Sequence, residues 1–257
     1  MQVSILPASR GARWLVEGFS IFRQKPVLLS FLVLGYWLSM GVISAVPVIG
    51  QLVGFLMIPA FSVSLMNACR LVERKADLPP QVLFSGFHRN LQALVTLGVI
   101  YVIVTLAILG LSALFDDGVL FRMLVLGDIP ENDALEGTGL LVAAQLTAVM
   151  LIPVVLAFWF APVLVAWHDM SAGKSLFFSL IACLRNWRAF LLYALAAGAV
   201  GIFLPRLITG LLGAGGGTGG AVSTMLTVML SLILLPTLYA SFYVSYRDIF
   251  GDQPEVS

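Results

Sequence analysis

Hydrophobic positions in this chain run on continuously rather than alternating. Long apolar stretches occupy about 27–46, 49–69, 91–115, 139–167, 189–210 and 221–246, and none has Asp, Glu, Lys or Arg across its middle. A helix crossing ~30 Å of hydrocarbon at ~1.5 Å per residue needs roughly 20 such residues. All backbone polar groups must be satisfied inside lipid, which leaves helices or a closed barrel. Barrel strands alternate with period two, whereas Val27–Leu34 and Val149–Phe160 are almost unbroken apolar runs. The pattern therefore predicts an all-α membrane protein of six transmembrane helices in a single membrane domain over 1–257. At about 29 residues, or ~43 Å, the fourth span must tilt, kink or project beyond the bilayer.

Before each odd-numbered span lies a short amphipathic stretch ending in a basic corner. Trp14–Lys25 sets Trp14, Leu15, Gly18, Phe19 and Phe22 on one helical face and Arg13, Glu17, Ser20 and Gln24 on the other. Pro80–Asn90 carries Val82, Leu83, Phe84 and Phe87 before His88, Arg89 and Asn90, and Ser171–Arg188 ends in Arg185, Asn186, Trp187 and Arg188. Even spans have interior prolines, at Pro59, at Pro153 and Pro162, and at Pro236, which kink helices. Odd spans have none inside, Pro205 lying near an end. The chain thus reads as three hairpins, pseudo-repeats over about 10–70, 80–167 and 171–247, each an interfacial elbow, a straight span and a kinked span. Arg23, Lys25, Arg89, Arg185 and Arg188 are the candidate lipid-headgroup residues. Basic elbows with aromatic faces suit the acyl boundary of an anionic leaflet, either as a lipid-organising collar or as plain topological anchors.

Composition agrees. Of the 257 residues 60% are hydrophobic and 11% charged, against about 25% charged in soluble domains. Mean hydropathy is +1.02. Disorder is excluded, two cysteines make no disulfide scaffold, and a net charge of +1 offers no field for nucleic acid. Twelve of the fourteen basic residues fall on one side of the predicted topology, with only Arg122 and Arg206 opposite. By the positive-inside rule both termini are expected in the cytoplasm. The first 26 residues are too polar for a cleavable signal peptide, so the first span is expected to be a retained signal anchor.

Phe160–Tyr193, FAPVLVAWHDMSAGKSLFFSLIACLRNWRAFLLY, together with the opening MQVSILPASRGARWLVEGFSIFRQKP, resembles an uncharacterised family of proteobacterial inner-membrane proteins. The repeat pattern alone is similar to membrane domains attached to some glycerophosphodiesterases. The first resemblance implies an inner-membrane location and no assigned reaction. The second brings no catalytic domain, since everything outside the spans is short linker.

Candidate chemistry is sparse. No charge lies at depth, which argues against a proton-coupled carrier or pump. Gln145 and Thr147, with Thr105 and Asn67, are the most polar groups expected within the spans, as interhelical glue or as a cavity lining. Cys69, His88, His168 and Cys183 have no metal-ligand spacing, so neither metal nor cofactor is expected. His168 and Asp169 could form a catalytic pair only with a polar pocket around them; no GxSxG elbow is present. Gly213–Gly220 lacks the Lys-Ser/Thr of a phosphate loop and reads as a flexible link. Asp128, Glu131, Asp133 and Glu136 read as a solvated outer loop, beside a short apolar helix around Gly118–Leu126 able to lie on the outer membrane surface. Gly50 with Gly54, Ala194 with Gly198 and Ala197 with Gly201 are small-residue pairs, making the fifth span the expected central, packed helix. The expected role is a non-enzymatic module organising lipids or protein partners, including a second copy of the chain. The alternative is a carrier for a lipidic or uncharged solute, which would need a continuous cavity among the even spans.

Overall fold

In the computed structural model the described residues are 3–46, 49–128, 138–213 and 217–251. Most of them are helical, and there is no strand among them. The first elbow is α1 (Ser9–Phe22), followed by spans α2 (Pro26–Ser44) and α3 (Ile49–Glu73). The second elbow is a 3-10 helix, Pro80–His88, and leads into α4 (Leu91–Asp116). A short α5 (Val119–Phe121) runs into a π turn, Arg122–Leu126. The fourth span is α6 (Thr138–His168) and the third elbow α7 (Ala172–Arg185). The fifth span is broken into α8 (Trp187–Gly198), a π turn (Ala199–Phe203) and α9 (Leu204–Gly213), and α10 (Gly217–Phe250) is the sixth. The chain is an all-α, multi-pass membrane protein, with six helices among the described residues long and apolar enough to span. The acidic residues Glu131, Asp133 and Glu136, and residues 214–216 of the glycine run, lie outside the described residues.

Two even spans run further than the apolar pattern indicates. Arg70 and Arg247 fall in the last helical turns of α3 and α10, where a cation offsets the negative end of the helix dipole. Pro205 lies inside the fifth span rather than near its end. It cannot donate to the carbonyl of Gly201, and the π turn brackets that carbonyl.

Each elbow docks on a kinked span. The 3-10 elbow lies on α3 with Gly86 against the Ala60 carbonyl, and the Gly86 amide donates to Ser64 Oγ at 2.9 Å. Elbow α7 lies on α6, where Ser179 Oγ accepts from the Phe160 amide (2.9 Å) and donates to the Leu156 carbonyl (2.8 Å). A foreign hydroxyl thus stands in the α6 ladder between its two prolines, a known way to bend a helix. Elbow α1 lies on α10, the last span, with Gly18 facing Thr237 and Ser241. The first element therefore packs on the last. A strap before α1 reinforces this closure: the Ser4 amide donates to the Ile249 carbonyl (3.0 Å), and Asn186 accepts from the Leu6 amide (2.8 Å) and donates to the Ser4 carbonyl (3.0 Å).

The main core occupies the half of the molecule nearest the basic corners. There α3, α6 and α10 converge, burying Phe61, Met66, Phe160, Leu164, Tyr243 and Tyr246 together with Trp14 of the first elbow. Phe160 stacks on Phe242 at 5.9 Å, and Trp14 meets Phe190 at a tilt at 5.2 Å and Tyr193 edgewise at 5.8 Å. Toward the opposite end a small cluster of Leu109, Leu120 and Ala143 belongs to the second hairpin alone.

The fifth span is not the central helix. Only 6% of its apolar window is buried, against 56% for α3, and Gly198 and Gly201 face open space. Small residues permit close approach but do not supply a neighbour. The Gly50 pair differs: Gly50 packs on the Ile43 carbonyl, joining α2 to α3.

Candidate membrane-interface site

The elbows have two apolar faces rather than one. Trp14, Gly18, Ile21 and Phe22 of α1 turn inward and are buried, whereas Val16 and Phe19 are 69% and 41% exposed. The other elbows repeat the arrangement, with Val82, Leu83 and Gly86 buried and Phe84 exposed, and with Ser175, Ser179 and Cys183 buried and Phe177 exposed. Aromatic side chains consequently face outward on all three elbows.

Cations stand beside them. The exposed Arg23 guanidinium lies over the Phe19 ring at 5.3 Å, and exposed Arg188 lies over the exposed Trp187 at 5.4 Å. Arg89 and Arg185 are exposed at the ends of their elbows. A cation stacked on an exposed ring presents a charge and an apolar surface together on one outward face. Lys25 is placed differently: it is half-buried, and its Nζ donates to the Ala76 carbonyl at 2.8 Å, tying the first corner to the α3 exit.

Behind this collar lies an ion network that composition did not reveal. Arg10 pairs with Asp248 and, at 2.9 Å, with Glu17; Arg247 pairs with Glu73 and, at 2.7 Å, with Glu17. Trp14 Nε1 donates to Asp248 at 3.0 Å and the Tyr243 hydroxyl to Glu73 at 2.6 Å. The network links α1, α3 and α10. Burial alone would lower the Arg10 pKa, but the hydrogen bond and charge of Asp248, with Glu17, outweigh it and hold the pKa above its usual value. Orientation counts disregard acidic residues, so Glu17, Glu73 and Asp248 carried no weight there. The signal available was Glu73 and Asp248, acids at the ends of α3 and α10 beside the basic corners.

The remaining candidates separate. His168 Nε2 meets the Tyr246 hydroxyl at 2.6 Å, and the Asn67 side chain accepts from Trp167 Nε1 and donates to Ser85, both at 2.9 Å. His88 Nδ1 faces its own Phe84 carbonyl at 3.0 Å. No three His, Cys, Asp or Glu side chains gather as a metal site among the described residues. Gln145 is exposed rather than set between helices. It stands roughly 35 Å along α6 from His168 at ~1.5 Å per residue, which places it at the far boundary of a ~30 Å hydrocarbon layer. Thr147 and Thr105 have buried hydroxyls without a hydrogen-bond partner in the α4–α6 hairpin.

Cys69 and Cys183 are buried, free thiols, and burial pushes the Cys183 pKa up to about 12. The thiolate is the reactive form, so maleimide is expected to label neither cysteine in the folded protein at pH 7 and both after denaturation. Native labelling counted by intact mass checks this.

Over 202 residues the chain is 40% identical to a protein of Burkholderia thailandensis described as a probable inner membrane protein, covering 76% of this chain and 74% of that relative. No family model matches the chain. No solved structure matches it.

Proposed function

We propose, for a chain that belongs to the family of that Burkholderia thailandensis inner membrane protein, a non-enzymatic role: a membrane module that organises anionic lipids or partner proteins through its three elbows. The observation that carries this reading is the pairing of outward aromatics with exposed arginines, Phe19 with Arg23 and Trp187 with Arg188. The basic corners then face the cytoplasm with both termini. The likeness to glycerophosphodiesterase-associated membrane domains fits a module whose chemistry lies elsewhere. A carrier for a lipidic or uncharged solute has less support, because the even spans meet in an aromatic core where Phe160 and Leu164 are fully buried.

The test reverses three charges. Each basic residue near an anionic leaflet contributes about 1 kcal/mol. Arg23→Glu, Arg89→Glu and Arg185→Glu together are expected to lower affinity for anionic lipid by about 100-fold or more. Native mass spectrometry from membranes rich in phosphatidylglycerol should show retained lipid on the wild type and little on the triple variant. Equal retention, with unchanged abundance and unchanged side for a reporter fused after Ser257, would overturn the proposal.

A further inference from the structure

The end of the molecule opposite the basic corners carries an apolar segment that the collar does not use. α4 ends at Asp116, whose carboxylate caps the next turn of chain: Oδ1 accepts from the Gly118 amide at 3.1 Å and Oδ2 from the Leu120 amide at 2.7 Å. Asp116 is itself buried, so the cap is a fixed joint. Gly118 and Gly127, at φ +78° and +76°, turn the chain sharply at both ends of the segment. Such φ values favour glycine. Between them Leu120 drops into the α4–α6 seam against Leu109 and Ala143 and fixes the segment to the hairpin.

What remains outward is apolar. Met123, Leu124 and Leu126 are exposed, Leu124 by 58% and Leu126 by 64%. Leu111, Leu114 and Phe115 at the end of α4, and Leu141 and Val142 near the start of α6, are exposed as well, and α5 packs against both helices. One cation, Arg122, is exposed among them. A soluble loop fixed by a buried cap would gain nothing by holding leucines in water. A short apolar segment joining two spans whose ends are themselves exposed and apolar, and bearing one cation, has the composition of an interfacial anchor.

We infer that Val119–Leu126 is a second membrane-binding element, seated in the acyl–headgroup boundary of the leaflet opposite the basic collar, with Leu124 and Leu126 in the acyl region and Arg122 at phosphate level. Its partner is the lipid surface itself. The element grips the far leaflet while the elbows grip the near one, and it does so whether or not the elbows bind anionic lipid.

Single-site labelling tests this, since both native cysteines are buried. Leu124→Cys and, separately, Leu126→Cys would carry an environment-sensitive fluorophore, with exposed Asp128→Cys as the aqueous reference. The full chain is reconstituted in vesicles of phosphatidylethanolamine and phosphatidylglycerol. Label at 124 or 126 should emit blue-shifted light and be quenched at least threefold more by lipid-borne nitroxide than label at 128, and at least threefold less by iodide. Iodide quenching at both sites equal to that at 128 would overturn the inference and leave the face to solvent or to a protein partner.

Discussion

Replacing Arg247 with leucine is expected to destabilise the protein by about 2–3 kcal/mol, among the larger effects of any single substitution outside the core. Two guanidiniums, Arg10 and Arg247, serve three carboxylates, Glu17, Glu73 and Asp248. Losing Arg247 takes a guanidinium partner from both Glu73 and Glu17. The side chains are 10–33% exposed, so the cost falls below that of a fully buried pair. Arg247→Lys should recover only part of it, because one ammonium cannot face Glu73 and Glu17 with separate planar donors as the two terminal nitrogens do. Pairing Arg247→Leu with Glu73→Gln should cost less than the two single changes added together, by about 1 kcal/mol or more. Melting curves in detergent for the four variants decide it. Strict additivity with each single change below about 0.5 kcal/mol would show that the network contributes nothing beyond surface pairing.

The six spans were legible because lipid imposes a constraint on every residue of a crossing helix, and a run such as Val149–Phe160 meets it in only one way. The elbows were legible as amphipathic stretches, but their orientation was not. A helix with a hydrophobic stripe reads as one apolar face. In α1, however, that stripe divides between a protein side at Trp14 and Phe22 and an outer side at Phe19. The partition depends on α8 and α10, more than 150 residues further along the chain. The same separation hid the ion network, since Arg10 and Asp248 lie at opposite ends of the sequence.

Small residues give the sharpest case, and the second large prediction rests on it. The Ala and Gly repeats of the fifth span satisfy every local rule for a packed helix, yet Gly198 has no neighbour within 4 Å of where a Cβ would stand. Gly18 belongs to no repeat. A Cβ there would come within 2.6 Å of the Ser241 amide nitrogen and 2.8 Å of the Thr237 carbonyl oxygen, both backbone atoms of α10 that cannot swing aside. At Gly86 it would meet the Ala60 carbonyl and crowd Ser64 Oγ, the acceptor for the Gly86 amide. Gly18→Val and Gly86→Val are therefore each expected to undock an elbow and cost about 3 kcal/mol or more. Gly198→Val should cost no more than about 0.5 kcal/mol, the added side chain meeting only lipid. Thermal unfolding and membrane abundance of the three variants measure the order. If Gly198→Val proved as damaging as the elbow substitutions, the fifth span would have a neighbour in the membrane that a single copy of the chain does not provide, and its small-residue face would become the contact to map.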